Sequence, residues 1–85
     1  MITTQAELDA AIAADPSDWH KVGDTNGEWL EARDGAKISA YASSLVYAFY
    51  GSHVEAHEGS QVTAYRGSHV TAYDGARVLE DPRYA

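Results

Sequence analysis

From residue 27 to residue 82, glycine, branched aliphatic residues and alanine recur with a period of eight. The seven successive octads read GEWLEARD, GAKISAYA, SSLVYAFY, GSHVEAHE, GSQVTAYR, GSHVTAYD and GARVLEDP. Glycine fills the first position of every octad except at Ser43, and Leu, Ile or Val always fills the fourth. Alanine fills the sixth position until Glu80. Seven octads in register predict a repeat architecture in which each octad forms one structural unit.

Each octad has the pattern of a β-strand followed by a turn. Ser, Val and Ala alternate with variable residues, which is the period of a strand with one buried face. The remaining Tyr-x-Gly predicts a turn, because glycine adopts backbone angles that side chains disfavour. A glycine in six of the seven octads excludes a helix. Strand–turn units of equal length stack into a parallel β-solenoid, so we expect an all-β fold.

The inward side chains indicate how many octads make one coil of the solenoid. Valine flanked by serine and alanine fills a thin layer between two sheets. A triangular coil of three octads would need larger residues to fill its centre at native packing density. The sequence therefore favours two strands and 16 residues per coil, with the triangular coil of 24 residues as the alternative. Residues 27–82 would make about 3.5 such coils.

These octads resemble a known repeat. The segment AYRGSHVTAYDGARV closely resembles the "AYGSSxVxAYDSSxV" repeats found in proteins of actinobacteria and their phages, and the similarity covers about residues 27–80. The resemblance implies a β-solenoid and brings no activity or site with it. The third octad departs from the pattern, since Ser43 replaces the turn glycine and large apolar residues occupy its variable positions.

The N-terminal segment predicts a helix that caps the solenoid. Thr4 and Glu7 form a capping box, and Leu8, Ala11 and Ile12 follow at helical spacing. We expect a helix over residues 5–14, ended by Pro16. Because an open sheet edge invites aggregation, this helix is expected to cover the first coil.

The chain therefore divides into three parts: residues 1–26 form the N-terminal helix and its connecting loop, residues 27–82 the solenoid, and residues 83–85 a C-terminal tail. In the loop, Val22 falls in the register of the valine column. Glu28 and Glu80 stand at inward positions, where an unpaired carboxylate is costly. The regular interior is thus expected to cover only residues 35–79. The short tail predicts a half-protected C-terminal edge.

Charge and composition exclude several functions. The net charge is −7, of which −6 lies in residues 1–34. A nucleic-acid partner is therefore not expected, and the neutral stretch over residues 35–79 disfavours mimicry of DNA as well. The absence of cysteine excludes disulfides and thiolate chemistry. No signal-like segment or apolar run of ~18 residues occurs, so we expect a soluble cytoplasmic protein without membrane contact.

The histidines give no persuasive metal site or catalytic site. A coil of two octads stacks His53 on His69 with Glu55 nearby, but a third ligand is missing. The periodic serines face inward, and a flat solenoid offers no cleft with convergent polar groups. We therefore expect neither a metal nor another cofactor, and no enzymatic activity.

One face of the solenoid carries the residues that suggest a function. Trp29, Leu45, Tyr47 and Leu79 lie at outward positions of the same predicted sheet, whereas the outward positions of the other sheet are polar. An apolar patch on one face is typical of an interface. We therefore expect an interaction module that forms a homodimer through this face or through the C-terminal edge. The alternative is a phage or bacterial adaptor or inhibitor that binds a host protein.

Overall fold

The computed structural model describes residues 1–81, within which the chain forms one helix and eight strands. The helix is α1 (Gln5–Ala14). The strands are β1 (His20–Val22), β2 (Leu30–Ala32), β3 (Lys37–Ala40), β4 (Leu45–Ala48), β5 (His53–Ala56), β6 (Gln61–Ala64), β7 (His69–Ala72) and β8 (Arg77–Glu80).

The strands build a parallel β-solenoid of about four turns, which confirms the predicted fold. The first sheet has the order β1-β3-β5-β7 and the second sheet the order β2-β4-β6-β8. From β2 onward each strand pairs with the strand 16 residues later, as where Val54 lies beside Val70. Two octads therefore make one coil, as the small inward side chains predicted.

The interior is a single layer of small side chains between the two sheets. Its buried members are Leu8, Val22, Leu30, Ala32, Ala36, Ile38, Ala40, Val46, Ala48, Val54, Ala56 and Val62. Because successive strand residues point to opposite faces, β1 to β6 each contribute a buried branched aliphatic residue, and β2 to β5 also contribute a buried alanine. Burial of one such valine stabilises the fold by about 1.5–3 kcal/mol relative to leaving it exposed.

The inward serines are satisfied by the turns. Ser44, Ser52 and Ser60 are buried, and each hydroxyl donates to the carbonyl three residues earlier at 2.6 Å. The backbone N–H of each of these serines donates to the same carbonyl. A buried hydroxyl without a partner would be costly. The hydrogen bond to the turn carbonyl avoids this cost and also closes the turn.

The first position of the octad requires left-handed backbone. Glycine occupies it with φ between 79° and 86°, and Ser43 takes the same conformation with φ of 67°. A side chain in this region is strained by roughly 1–2 kcal/mol because its Cβ approaches the neighbouring carbonyl. Ser43 is therefore the strained position among these turns.

The N-terminal helix begins at the predicted capping box. The Thr4 side chain accepts a hydrogen bond from the Glu7 N–H at 3.2 Å. Hydrogen bonds that the Glu7 carboxylate accepts from Thr3 and Thr4 hold the pKa of Glu7 below its ordinary value. Leu8 is fully buried, so the helix covers the interior as expected.

Three details differ from the sequence-based expectation. Val22 pairs with Ala40 rather than with the branched position Ile38, because the β1–β2 connection contains two additional residues relative to the 16-residue coil. This even offset keeps Val22 facing inward. The buried interior begins well before residue 35, since Leu30 is buried and Glu28 is exposed. It also ends early, because Val70 and Val78 are only partly buried. Residues 83–85, assigned to the tail, lie outside the described residues.

The thin interior predicts that enlarging it is destabilising. Val62→Phe should lower the free energy of unfolding by about 1–3 kcal/mol, because the two sheets have no space for a ring. Denaturant unfolding monitored by circular dichroism measures the change. His53→Phe, at an outward position of the polar sheet, is the matched control and should change stability little. Equal stabilities for parent and Val62→Phe would contradict a close-packed layer.

The strained turn predicts a stabilising substitution. Ser43→Gly should raise the free energy of unfolding by about 0.5–1 kcal/mol, because relief of left-handed strain exceeds the added flexibility of glycine in the unfolded chain. The reverse change Gly51→Ser is the control. It should destabilise, since Gly51 has φ of 79° and a Cβ there would collide with the Asp34 side chain. A Ser43→Gly variant less stable than the parent would refute the strain.

Candidate interaction surfaces

The N-terminal end of the first sheet is closed by backbone. Ile2 forms a parallel bridge to Val22 beside β1. Its N–H donates to the Lys21 carbonyl at 3.0 Å, and its carbonyl accepts from the Gly23 N–H at 2.9 Å. The segment before the helix therefore occupies the place of a further strand and covers the edge of β1.

The N-terminal end of the second sheet is closed by one side chain. The Gln5 carboxamide oxygen accepts from the Glu31 N–H at 2.6 Å, and its nitrogen donates to the Glu31 carbonyl at 3.3 Å. The amide thus forms the two hydrogen bonds that a peptide of a neighbouring strand would form with β2. Sequence reasoning gave Gln5 no such role, because nothing in the octads indicates where the first turn of the helix meets β2.

At the C-terminal end the interior becomes progressively exposed. Val62 retains only 1% of its surface, whereas Val70, Ala76 and Val78 of the last coil are partly buried and Ala72 is exposed. Strands β7 and β8 are the outermost strands of their sheets. Within residues 1–81, no helix or strand covers this end. The two ends of the solenoid therefore differ in chemistry as well as in sequence.

Among residues 1–81, the strand edges at the same end are unpaired. In the last coil the N–H groups of His69 and Tyr73 donate to β5 or the residue before it, and those of Arg77 and Asp81 donate correspondingly to the coil below. Because backbone groups alternate in direction along a parallel strand, those of Val70, Ala72, Val78 and Glu80 point to the outer edge. No strand among residues 1–81 pairs with them.

The outward side of the second sheet carries an array of apolar residues, here called the aromatic face. It comprises Trp29, Leu45, Tyr47, Phe49 and Tyr65, all half-buried. Trp29 stacks on Tyr47 with ring centroids 4.6 Å apart, and Phe49 stacks on Tyr65 at 4.9 Å. Tyr47 joins the two pairs through contacts of 6.2 Å with Phe49 and 6.0 Å with Tyr65.

The structure brings three of the four predicted binding residues together. Trp29, Leu45 and Tyr47 lie on or beside the neighbouring strands β2 and β4. Leu79 lies on β8, separated from Tyr47 by Thr63, and is 62% exposed. Phe49 and Tyr65 were not among the predicted residues. Their place in the seventh position of the octad, after the strand ends, concealed that they reach the same face.

The outward side of the first sheet is polar and includes two stacks of rings. His53 and His69 are stacked at 4.8 Å in the predicted register. His57 lies between Tyr41 and Tyr73, at 4.6 and 4.9 Å. In the described part of the chain, no three His, Asp or Glu side chains converge as metal ligands. These rings therefore serve the corners and the polar face through stacking.

A shallow hollow lies between the helix and the first coil. Its volume is about 210 Å³, and Ile12, Ala13 and Ala36 contribute its apolar wall. Arg33 crosses it to contact Asp9 at 3.3 Å and Glu31 at 3.0 Å. Both ion pairs are largely exposed and contribute little stability. Asp9, Glu31 and Asp34 contribute carboxylates to its lining.

No family model, curated protein or solved structure matches the chain. Within residues 1–81, no helix is long and apolar enough to cross a bilayer.

The Gln5 contact predicts a specific stability loss. Gln5→Ala should lower the free energy of unfolding by about 1–2 kcal/mol, because the Glu31 N–H and carbonyl lose their partner at the sheet edge. Denaturant unfolding measures the change. Asp9→Ala is the matched control, since it removes the Gln5–Asp9 and Arg33–Asp9 contacts but leaves the amide on β2. Equal losses in the two variants would contradict the edge-capping role.

Proposed function

We propose that the protein is a non-enzymatic interaction module that joins its C-terminal end to the same end of a second copy. The observation that carries this proposal is the exposure of the last coil: Val70, Ala76 and Val78 belong to the core column yet remain partly exposed. A second copy placed end to end would extend the valine layer across the contact. Burial of these side chains supplies the driving force for association.

Strand pairing favours contact between two identical ends. A two-fold axis across the end sets the last strands of the two copies antiparallel, and antiparallel edges exchange hydrogen bonds readily. The outward-directed groups of Val70 and Ala72 in the first sheet, and of Val78 and Glu80 in the second, would then find partners. Both sheets would run through the contact without interruption.

The closed N-terminal end disfavours the other way of stacking. A head-to-tail contact would place the last coil of one copy on the first coil of the next and would grow into a filament. Ile2 and Gln5 already occupy the edges of β1 and β2, and Leu8 covers the interior there. The symmetric contact is therefore the one that the two ends allow.

Substitution of Ala72 by proline tests the contact. The Ala72 N–H points to the outer edge, so proline removes a donor to a second copy without removing a bond to β5. We expect Ala72→Pro to halve the mass measured by light scattering during size-exclusion chromatography. Ala72→Ser, which keeps the N–H and a small side chain, is the matched control and should keep the parent mass. Circular dichroism verifies that both variants fold.

A second variant should strengthen the end contact rather than weaken it. Glu80 stands where the octad has alanine and places a carboxylate at the rim of the end. Glu80→Ala should tighten association, measured as a lower dissociation constant on dilution, because the charge resists burial. A parent that is monomeric at 100 µM, or an Ala72→Pro variant of unchanged mass, would contradict the proposal. A monomeric parent would instead favour docking on a different protein.

A further inference from the structure

We infer that the aromatic face is a second self-association surface, which packs on the same face of another copy with the two solenoid axes parallel. The relevant unit is a regular array of outward side chains on the second sheet. Its four rows, from the N-terminal to the C-terminal coil, are Trp29-Glu31-Arg33, Leu45-Tyr47-Phe49, Gln61-Thr63-Tyr65 and Arg77-Leu79-Asp81.

A two-fold axis parallel to the solenoid axis places each row against the same row of the second copy, with the order of its residues reversed. The middle column then meets itself, so that Tyr47 lies against Tyr47 and Leu79 against Leu79 of the second copy. Leu45 faces Phe49. Every apolar residue of the second row thus meets an apolar residue, which is the arrangement that removes most apolar surface from water.

The antiparallel arrangement matches less well. It would lay the second row on the third row, placing Leu45 against Gln61 and Tyr47 against Thr63. Leu79, which is 62% exposed, would lie against Glu31. Only Phe49 and Tyr65 would meet as an apolar pair between these two rows, whereas the parallel arrangement gives all three residues of the second row an apolar partner, so the parallel arrangement is favoured.

Charge is also arranged for the parallel contact, with one exception. Arg33, whose side chain is 59% exposed, lies opposite Trp29 and can place its guanidinium over the indole ring. The exception is Glu31, which meets Glu31 of the second copy on the axis. Its ion pair with Arg33 at 3.0 Å reduces this repulsion without removing it. Glu31 is therefore the residue that weakens the contact.

The size of the face indicates a weak contact. Four strands at ~4.8 Å spacing and three outward positions at ~6.7 Å cover roughly 400 Å² per copy. The total of roughly 800 Å² is below the ~1,200 Å² of a typical stable complex. A face axis along the solenoid and an end axis along the normal to the sheets, which meets it, generate a closed tetramer with 222 symmetry. The expectation of four copies depends on the proposed end contact, whereas the inference of the face contact is independent of it.

Combined variants separate the two contacts. Leu45→Glu places a charge at the centre of the face without touching the inward Val46, and should remove the face contact. By light scattering at 100 µM we expect four copies for the parent, two for Leu45→Glu, two for Ala72→Pro and one for the double variant. Lys37→Glu, on the polar sheet, is the control for an added charge and should match the parent.

The outcomes are distinguishable. If Leu45→Glu and the parent have the same mass, the face inference is wrong whatever Ala72→Pro does. If Ala72→Pro alone leaves the mass unchanged, the end contact fails and the face inference stands on the loss seen with Leu45→Glu. Circular dichroism of each variant excludes unfolding as the cause of a lower mass.

The parallel arrangement has its own test. Glu31→Gln in the Ala72→Pro background should tighten the face dimer about two- to fivefold, because the substitution removes the like-charge pair on the axis. The dissociation constant is measured by sedimentation equilibrium at low salt. An antiparallel dimer, in which Glu31 faces Leu79, has no Glu31–Glu31 pair. The parallel arrangement would be overturned if the affinity of the face dimer with Glu31 in place does not depend on salt and Glu31→Gln does not lower the dissociation constant.

Discussion

The burial of one layer of small side chains between two parallel sheets governs the rest of this structure. Valine between serine and alanine sets the distance between the sheets, and that distance limits each coil to two strands. Serine hydroxyls close the turns at 2.6 Å because each donates to the carbonyl three residues earlier in its own turn. Each coil gains its stability from its neighbours, as in other solenoids, so the two end coils have the least support.

The chain resolves this problem differently at its two ends. At the front, the backbone of Ile2 pairs with the edge of the first sheet, and the Gln5 carboxamide pairs with the edge of the second sheet. Leu8 covers the core there. At the back, within residues 1–81, the core column reaches the surface and both edges remain unpaired. This polarity is the physical basis for treating the back of the solenoid as an interface and the front as a closed wall.

Most of the fold could be predicted from the octads, because a strict period determines which residues of each strand face inward and how the strands stack into coils. The two-sheet coil followed from the small inward residues, the helix from its capping box and apolar spacing, and the stacking of His53 on His69 from the 16-residue coil. The offset of Val22 could not be predicted, because the loop before residue 27 lies outside the repeat. The path of this loop in the folded chain sets the register of β1. Phe49 and Tyr65 joined the predicted Trp29 and Tyr47 because side chains at a corner can turn toward a face, which alternation does not encode.

The 16-residue coil also determines how such a molecule can change length. A duplication of residues 51–66 would add one strand to each sheet and lengthen the solenoid by about 4.8 Å, while every later side chain kept its face. Duplication of a single octad would send each later strand to the opposite sheet, so that Leu79 would leave the second sheet. The heritable unit of this architecture is therefore the pair of octads, although the repeat visible in the sequence is the single octad.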